Sequence, residues 1–136
     1  TRLTEMDIEP FLVGSALDCV VAQRLARRLC DRCKQPGSFV ADDLRRLRFP
    51  VADELPPVFV PVGCPACSNT GYRGRIAVHE VMAVTEEIER LTVERASSAD
   101  IGRVAREQGM LTLREDGWEK VKRGMTSVEE ILRVVA

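Results

Sequence analysis

The chain has 136 residues, of which 45% are hydrophobic and 30% are charged, and its formal net charge is −1. This composition is typical of a folded globular domain and excludes a disordered chain. No apolar run approaches the roughly 18 residues of a membrane span, and a dedicated nucleic-acid binder would be clearly basic. We therefore expect a cytoplasmic protein. Because the sequence opens at Thr1 without a methionine, we also expect a piece of a longer chain.

The first two thirds of the chain mix helical and strand-like patterns. Residues 6–17 place apolar side chains at helical spacing. Residues 17–30 are ambiguous, because their alanines and leucines suit a helix whereas the run Cys19–Val21 suits a strand. Further along, the patterns predict a short amphipathic helix in 39–50, a proline-rich loop or edge strand in 55–63 and a strand in 73–84.

The last fifty residues are predicted to be helical. Thr85 is expected to cap a helix that begins with glutamates, and a second helix should run from Asp100 to Gln108 before Gly109. Two later helices each begin with a capping box, at Thr112–Glu115 and at Ser127–Glu130. These short amphipathic helices must pack on one another and on the strands, with Trp118, Met110 and Met125 in the core.

Four of the five cysteines form two C-x-x-C pairs separated by a long gap. Each turn of this kind directs two sulfurs to one point, and two turns together supply the tetrahedral shell of structural zinc, with Zn–S near ~2.3 Å. One pair alone could be a redox centre and the two pairs could form a knuckle without metal, but two pairs in a reducing compartment favour zinc. We predict Cys30, Cys33, Cys64 and Cys67 as ligands and Cys19 as a small buried hydrophobe outside the site.

A site with four thiolate ligands is closed to water and substrate, so it would be structural and not catalytic. Four thiolates around a dication leave a local charge of about −2, which neighbouring cations can offset. A sharper alternative is that the same cations form a phosphate or nucleic-acid contact surface. The cations that flank the two pairs are Arg27, Arg28, Arg32, Lys34, Arg73 and Arg75.

Groups that catalyse reactions are scarce in this sequence. It contains no G-x-x-x-x-G-K-[ST] phosphate loop, and its single histidine, His79, has no second histidine as a partner. We interpret His79 as a partly exposed strand residue, and most acidic residues as groups that favour helix N-termini. The residues alone therefore predict no catalytic or cofactor-binding site, but a zinc-stapled α+β module that does not hydrolyse ATP by itself.

Three stretches carry a family resemblance: EPFLVGSALDCVVAQRLARRLCDRC, CPACSNTGYRGRIAVHEVM and GMLTLREDGWEKVKRGMTSVEEILRVV. Together they resemble the C-terminal part of the secretion ATPases, the hexameric traffic ATPases of type II secretion and type IV pilus assembly in bacteria. The match covers nearly the whole chain and is weakest over residues 35–60, to which we assign no role. Its specific motifs are C-x-x-C before T-G-Y-x-G-R and the closing L-R-E-D-G-x-x-K-V-x-x-G-x-T-S-x-E-E. The resemblance also carries the family's zinc ligands onto the four paired cysteines.

The resemblance implies an α+β fold: the end of a RecA-like motor domain, a four-cysteine zinc knuckle inserted between two strands, and a small bundle of short helices. The strand Val20–Arg28 would pair with Ile76–Val81. The implied division is 1–29 for the end of the motor domain, 30–67 for the zinc insert, 68–84 for the returning strand and 85–136 for the helical domain.

The resemblance also implies a function, which is to transmit ATP-driven movement to an inner-membrane platform protein. Upstream residues would bind ATP and Mg²⁺, and the other partners would be neighbouring subunits of a homohexamer, with no nucleic acid and a peripheral place at the inner membrane. Retraction motors of the family lack the tetracysteine insert, which favours an assembly or secretion motor. One alternative is a zinc-ribbon module that contacts nucleic acid or protein. A chaperone module resembling DnaJ is weak, because its repeated C-x-x-C-x-G-x-G units are missing.

Overall fold

The computed structural model describes residues 2–135, which form a mixed α+β chain as expected. The described residues contain seven α-helices and two sheets of two strands each. They divide into two compact units: residues 2–22 with 80–112 (unit 1), and residues 23–79 with 113–135 (unit 2). In chain order the elements are α1 (Arg2–Glu5), α2 (Pro10–Ala16), β1 (Cys19–Leu29), β2 (Gln35–Pro36), α3 (Ala41–Arg46), β3 (Phe59–Val60), a 3-10 turn (Pro65–Cys67), β4 (Tyr72–Ala83), α4 (Glu86–Val93), α5 (Ser98–Glu107), α6 (Leu113–Lys122) and α7 (Val128–Val134).

Strands β1 and β4 form one sheet, and this resolves the ambiguous residues 17–30 in favour of a strand. At one end of the pair the N–H of Val84 donates to the carbonyl of Asp18 at 2.9 Å. At the other end the N–H of Cys30 donates to the carbonyl of Gly71, also at 2.9 Å. Two strands joined in this way at both ends run antiparallel. The predicted pairing of these strands is confirmed.

Unit 1 is a small cluster in which α2 and α4 pack together. The Thr85 side chain accepts from the N–H of Ile88 and caps α4 as predicted. Helix α5 begins at Ser98 and not at Asp100, because the Ser97 side chain accepts from the Asp100 N–H and caps the helix earlier. One hydrophobic cluster of this unit consists of the buried side chains Ile88, Val104 and Ala105, with Met110 packed against them.

The core of unit 2 is built around Trp118, which is 2% exposed. The ring of Phe49 lies 5.4 Å from the Trp118 ring, and Leu44 and Val58 are buried in the same core. Leu44, Phe49 and Val58 all come from residues 35–60, the part of the sequence with the weakest pattern. The excursion between the cysteine pairs therefore supplies core side chains.

Helices α6 and α7 approach closely at Gly117. A Cβ atom at this position would lie 2.7 Å from Cγ2 of Ile131, and Ile131 is fully buried. Real side chains do not tolerate this distance, so the packing of the two helices depends on the missing side chain.

Two sequence expectations about β1 and β4 have different outcomes. Cys19 is exposed, so the prediction of a small buried hydrophobe is wrong. The reason lies in the burial of β1, where the described side chains are buried only at Ala26 and Leu29, close to the unit 2 core. His79 is exposed as expected, and its backbone N–H donates to Oδ2 of Asp116 at 2.8 Å.

None of the helices in residues 2–135 is both long and apolar enough to cross a membrane.

Candidate metal centre

The structure brings the four predicted ligands together. The Sγ atoms of Cys30, Cys33, Cys64 and Cys67 all lie within 4.8 Å of one another. Cys30–Cys64 and Cys64–Cys67 are each 3.8 Å apart, and Cys33–Cys67 is 3.9 Å apart. Four sulfurs at ~2.3 Å from a central zinc would be about 3.8 Å apart at the corners of a tetrahedron. The cluster therefore has the size of a four-thiolate metal site.

Two tight turns place the sulfurs. After β1, the Cys30 carbonyl accepts from the N–H groups of Cys33 and Lys34, at 3.3 and 3.0 Å. In the second pair, the 3-10 turn Pro65–Cys67 lets the Cys67 N–H donate to the Cys64 carbonyl at 3.2 Å. Because each turn closes within four residues, both sulfurs of a pair point to the same side.

Gly71, in the T-G-Y part of the motif, leads from the second turn into β4. Its φ is +82°, and a Cβ there would lie 2.5 Å from Cβ of Pro61. Only glycine adopts this backbone without strain and leaves room for Pro61. Gly71 is also the residue whose carbonyl accepts from Cys30, so the glycine joins the two cysteine turns.

Backbone N–H groups point at two of the sulfurs. Gly63 donates to Sγ of Cys33 at 3.3 Å, while Cys64 and Gly71 donate to Sγ of Cys67 at 3.3 and 3.2 Å. Hydrogen bonds of this kind favour the charged thiolate over the thiol. The turns thus supply partial positive charge where a metal-bound cluster would carry negative charge.

The thiols of Cys33 and Cys67 have pKa values shifted in opposite directions. Burial raises the pKa of Cys67, but the N–H groups of Cys64 and Gly71 together with the neighbouring thiols outweigh it and lower the pKa to about 6. The Gly63 N–H lowers the pKa of Cys33, but burial and the other three cysteines raise it to about 11. Like charges at this distance repel, so four thiolates can coexist only with a cation between them. Thiolates in a tetrahedral set suit zinc among the common divalent ions.

Two of the cations predicted to flank the cluster, Arg27 and Lys34, bind other groups of unit 2. The Arg27 side chain donates to Oε1 of Glu130 from Nε at 3.0 Å and from a terminal nitrogen at 2.7 Å, and its guanidinium lies 4.2 Å from the Tyr72 ring centre. Lys34 donates to the Gly124 carbonyl at 2.8 Å. These contacts bind the two residues to the C-terminal part of unit 2.

Glu130 has a structural role that the sequence pattern did not indicate. The pattern predicts a capping box at Ser127–Glu130, and half of the box exists, because Ser127 Oγ accepts from the Glu130 N–H at 3.1 Å. The carboxylate, however, is 1% exposed and accepts from the Arg27 backbone N–H at 2.8 Å and from Arg133. A glutamate followed three residues later by arginine in a short helix was the available signal, but nothing local indicated Arg27.

The ion pairs change the acidity of Glu130. Burial raises the pKa of its carboxyl, but the hydrogen bonds from Arg133 and Arg27 outweigh burial and lower the pKa from its ordinary 4.5 to about 2. The same contacts raise the pKa of both arginines. Glu130 is therefore ionised at neutral pH despite its burial.

Comparison with known proteins identifies the class. Residues 1–133 match the family described as Type II/IV secretion system protein, and the chain belongs to that family. It is 43% identical to the type IV pilus assembly ATPase PilB of Thermus thermophilus, over 97% of this chain and 15% of that protein. It is 40% identical to the type II secretion system protein HxcR of Pseudomonas aeruginosa, over 98% of this chain and 25% of that protein. The type II secretion system ATPase E of Vibrio cholerae is also 40% identical, over 98% and 26%. The chain thus spans about a quarter or less of these relatives.

Proposed function

We propose that Cys30, Cys33, Cys64 and Cys67 bind one structural zinc ion. The observation that carries this proposal is the gathering of the four sulfurs within 4.8 Å of one another, with three of the distances at 3.8–3.9 Å, close to the edge of a zinc–thiolate tetrahedron. All four ligand positions would be filled by protein, so the ion would hold the two turns together without taking part in a reaction.

We further propose that the chain is the C-terminal zinc-binding region of a hexameric ATPase that powers type II secretion or type IV pilus assembly. Membership of the family and the names of the relatives support this role. In this proposal residues 1–29 and 68–84 complete a RecA-like motor domain, residues 30–67 form the zinc insert and residues 85–136 form a helical domain. ATP and Mg²⁺ would be bound mainly by residues upstream.

The proposed role in the motor is mechanical. Neighbouring subunits of a homohexamer and an inner-membrane platform protein would be the partners, and the protein would lie at the cytoplasmic face of that membrane through them. A metal that joins two turns distant in sequence makes the excursion stiff, and a stiff element can transmit movement that a flexible loop would absorb. The anchoring of Leu44, Phe49 and Val58 in the unit 2 core supports the same conclusion.

The zinc site is tested by measuring the metal content of the purified chain. We expect about one zinc per chain in the wild type and little in Cys30→Ser or Cys64→Ser, because a serine hydroxyl is a hard and poorly deprotonated ligand. Cys19→Ser is the matched control, since Cys19 lies outside the cluster, and it should keep its zinc. Metal-free wild-type protein with all five thiols titratable would refute the site.

The role in the motor is tested in the parent protein. Cys64→Ser should impair secretion or pilus assembly in cells, whereas Cys19→Ser should leave it near the wild-type level at equal protein abundance. Normal export by the Cys64→Ser protein would contradict the proposed mechanical role. Tight, salt-dependent binding of nucleic acid by the chain would instead favour the zinc-ribbon alternative.

A further inference from the structure

Residues 124–130 run from the loop after α6 into the first turn of α7, and we call them the closing turn. They bind the strand that leads into the first cysteine pair. The Gly124 carbonyl accepts from Nζ of Lys34 at 2.8 Å, and the Met125 carbonyl accepts from the N–H of Leu29 at 2.9 Å. Leu29 directly precedes Cys30 and Lys34 directly follows Cys33. The closing turn therefore contacts the chain on both sides of the first pair, through the Leu29 backbone and the Lys34 side chain.

Two further contacts of the closing turn end on Arg27, three residues before Cys30. Oγ1 of Thr126 donates to the Arg27 carbonyl at 2.8 Å, and the Glu130 carboxylate accepts from the Arg27 N–H at 2.8 Å. Thr126 is fully buried and Glu130 is 1% exposed. Leaving a buried polar group without a hydrogen-bond partner costs free energy. Separating the closing turn from Arg27 is therefore unfavourable.

The closing turn also reaches the second cysteine pair, through β4. The hydroxyl of Tyr72 and Oγ of Ser127 are 2.7 Å apart and form a hydrogen bond. Tyr72 follows Gly71, whose N–H donates to Sγ of Cys67 at 3.2 Å. One segment of seven residues thus contacts the chain next to both cysteine pairs.

A four-cysteine site binds metal only when both pairs are held together, so any contact that stabilises this arrangement also strengthens metal binding. We propose that the closing turn positions the two cysteine pairs and that its docking and metal binding strengthen each other. By linkage the effect is mutual: the metal holds the closing turn and α7 in place, and the closing turn raises the affinity for the metal. This inference rests on the proposed zinc site, and it assigns a role to the T-S-x-E-E end of the closing motif.

The first test compares two threonine variants of the whole chain by competition for zinc with a chromophoric chelator. Thr126→Val removes the hydroxyl bond to the Arg27 carbonyl and keeps the side-chain shape. Thr92→Val is the matched control, because Thr92 Oγ1 also donates to a carbonyl, that of Ile88 in unit 1, at 2.9 Å. We expect Thr126→Val to bind zinc at least about fivefold more weakly than wild type, the lower end of ordinary coupling between sites. Thr92→Val should bind as the wild type does.

A milder variant covers the case in which Thr126→Val does not fold. Tyr72→Phe loses the hydrogen bond to Ser127 but keeps the ring beneath the Arg27 guanidinium, and it should also bind zinc more weakly.

The reciprocal test is hydrogen exchange of the wild-type chain with zinc and with a chelator. Amides of residues 126–134 should exchange faster without zinc, while those of α5, in unit 1, should change little.

Each outcome decides one of the two proposals. Equal zinc affinity in Thr126→Val, Tyr72→Phe and Thr92→Val would overturn this inference and leave the zinc site standing. Unchanged exchange of residues 126–134 on chelation would overturn it as well. A wild-type chain that binds no zinc would refute the site, and the coupling with it.

Discussion

Replacing Glu130 with glutamine should destabilise the chain at neutral pH and leave it almost unaffected in strong acid. The substitution keeps the shape of a side chain that is 1% exposed but removes the charge that Arg27 and Arg133 contact. Glutamine also turns an N–H₂ group toward donors, so some of the present hydrogen bonds cannot form. Glu129→Gln is the matched control, because Glu129 is the exposed neighbour in the same helix.

The expected loss in the free energy of unfolding of Glu130→Gln can be obtained in two ways. The fall in the Glu130 pKa from 4.5 to about 2 corresponds to roughly 3 kcal/mol, since each pKa unit is worth about 1.4 kcal/mol. Breaking a buried ion pair by removing one partner costs about 3–5 kcal/mol. Because both arginines remain half exposed and can be hydrated, we expect the lower end, about 3 kcal/mol at pH 7.

The pH dependence has a definite sign. The carboxyl of Glu130 has a lower pKa in the folded chain than in the unfolded chain, so its stabilising effect is complete above the unfolded value of 4.5. The effect is lost as the pH falls from there toward about 2, because the folded carboxyl then becomes protonated too. The difference between wild type and Glu130→Gln should therefore shrink over this range.

Urea unfolding followed by tryptophan fluorescence measures the difference, because the single tryptophan, Trp118, is buried in the unit 2 core. The titrations should be run from pH 7 to pH 3 with a thiol reductant and a chelator, so that disulfides and metal binding do not contribute. A difference below about 1 kcal/mol at pH 7, the worth of an exposed ion pair, would refute the reasoning. A difference that stays constant down to pH 3 would refute it equally.

Three other outcomes are expected. Gly117→Ala should destabilise the chain by about 1–3 kcal/mol in urea unfolding, because its Cβ would meet Ile131; Gly102→Ala, with nothing within 4 Å, should be neutral or stabilising by up to about 1 kcal/mol. Chelation should leave most of the far-UV circular dichroism intact, because the helices have their own caps and cores, and full unfolding would show that the metal is more than a local staple. The purified chain should hydrolyse no ATP above background in a phosphate-release assay, and robust turnover by clean protein would place catalysis within these residues.

The sequence predicted the features that depend on short-range patterns. Strand β4, the helices capped by Thr85 and Ser127, and the two cysteine pairs follow from spacing and cap residues. The ambiguous residues 17–30 were resolved by resemblance and not by pattern, since a strand of alanines, leucines and arginines has helix-like composition.

Features that depend on contacts between distant residues were not predictable from the sequence. Glu130 and Arg27 are 103 positions apart, so the sequence suggested only the local capping box. The same limit applied to residues 35–60, whose buried side chains are isolated among prolines and charges and show no period. The wrong prediction for Cys19 arose because an apolar neighbourhood in the sequence does not determine which part of a strand is covered.

The packing of Phe49 against Trp118 makes the core of unit 2 depend on residues 35–60. Deleting residues 35–60 would remove Leu44, Phe49 and Val58 from the unit 2 core and leave a large aromatic ring facing water. Homologues without the excursion should therefore carry a smaller or more polar side chain at the position of Trp118. In evolutionary terms the insertion and the tryptophan are expected to appear together.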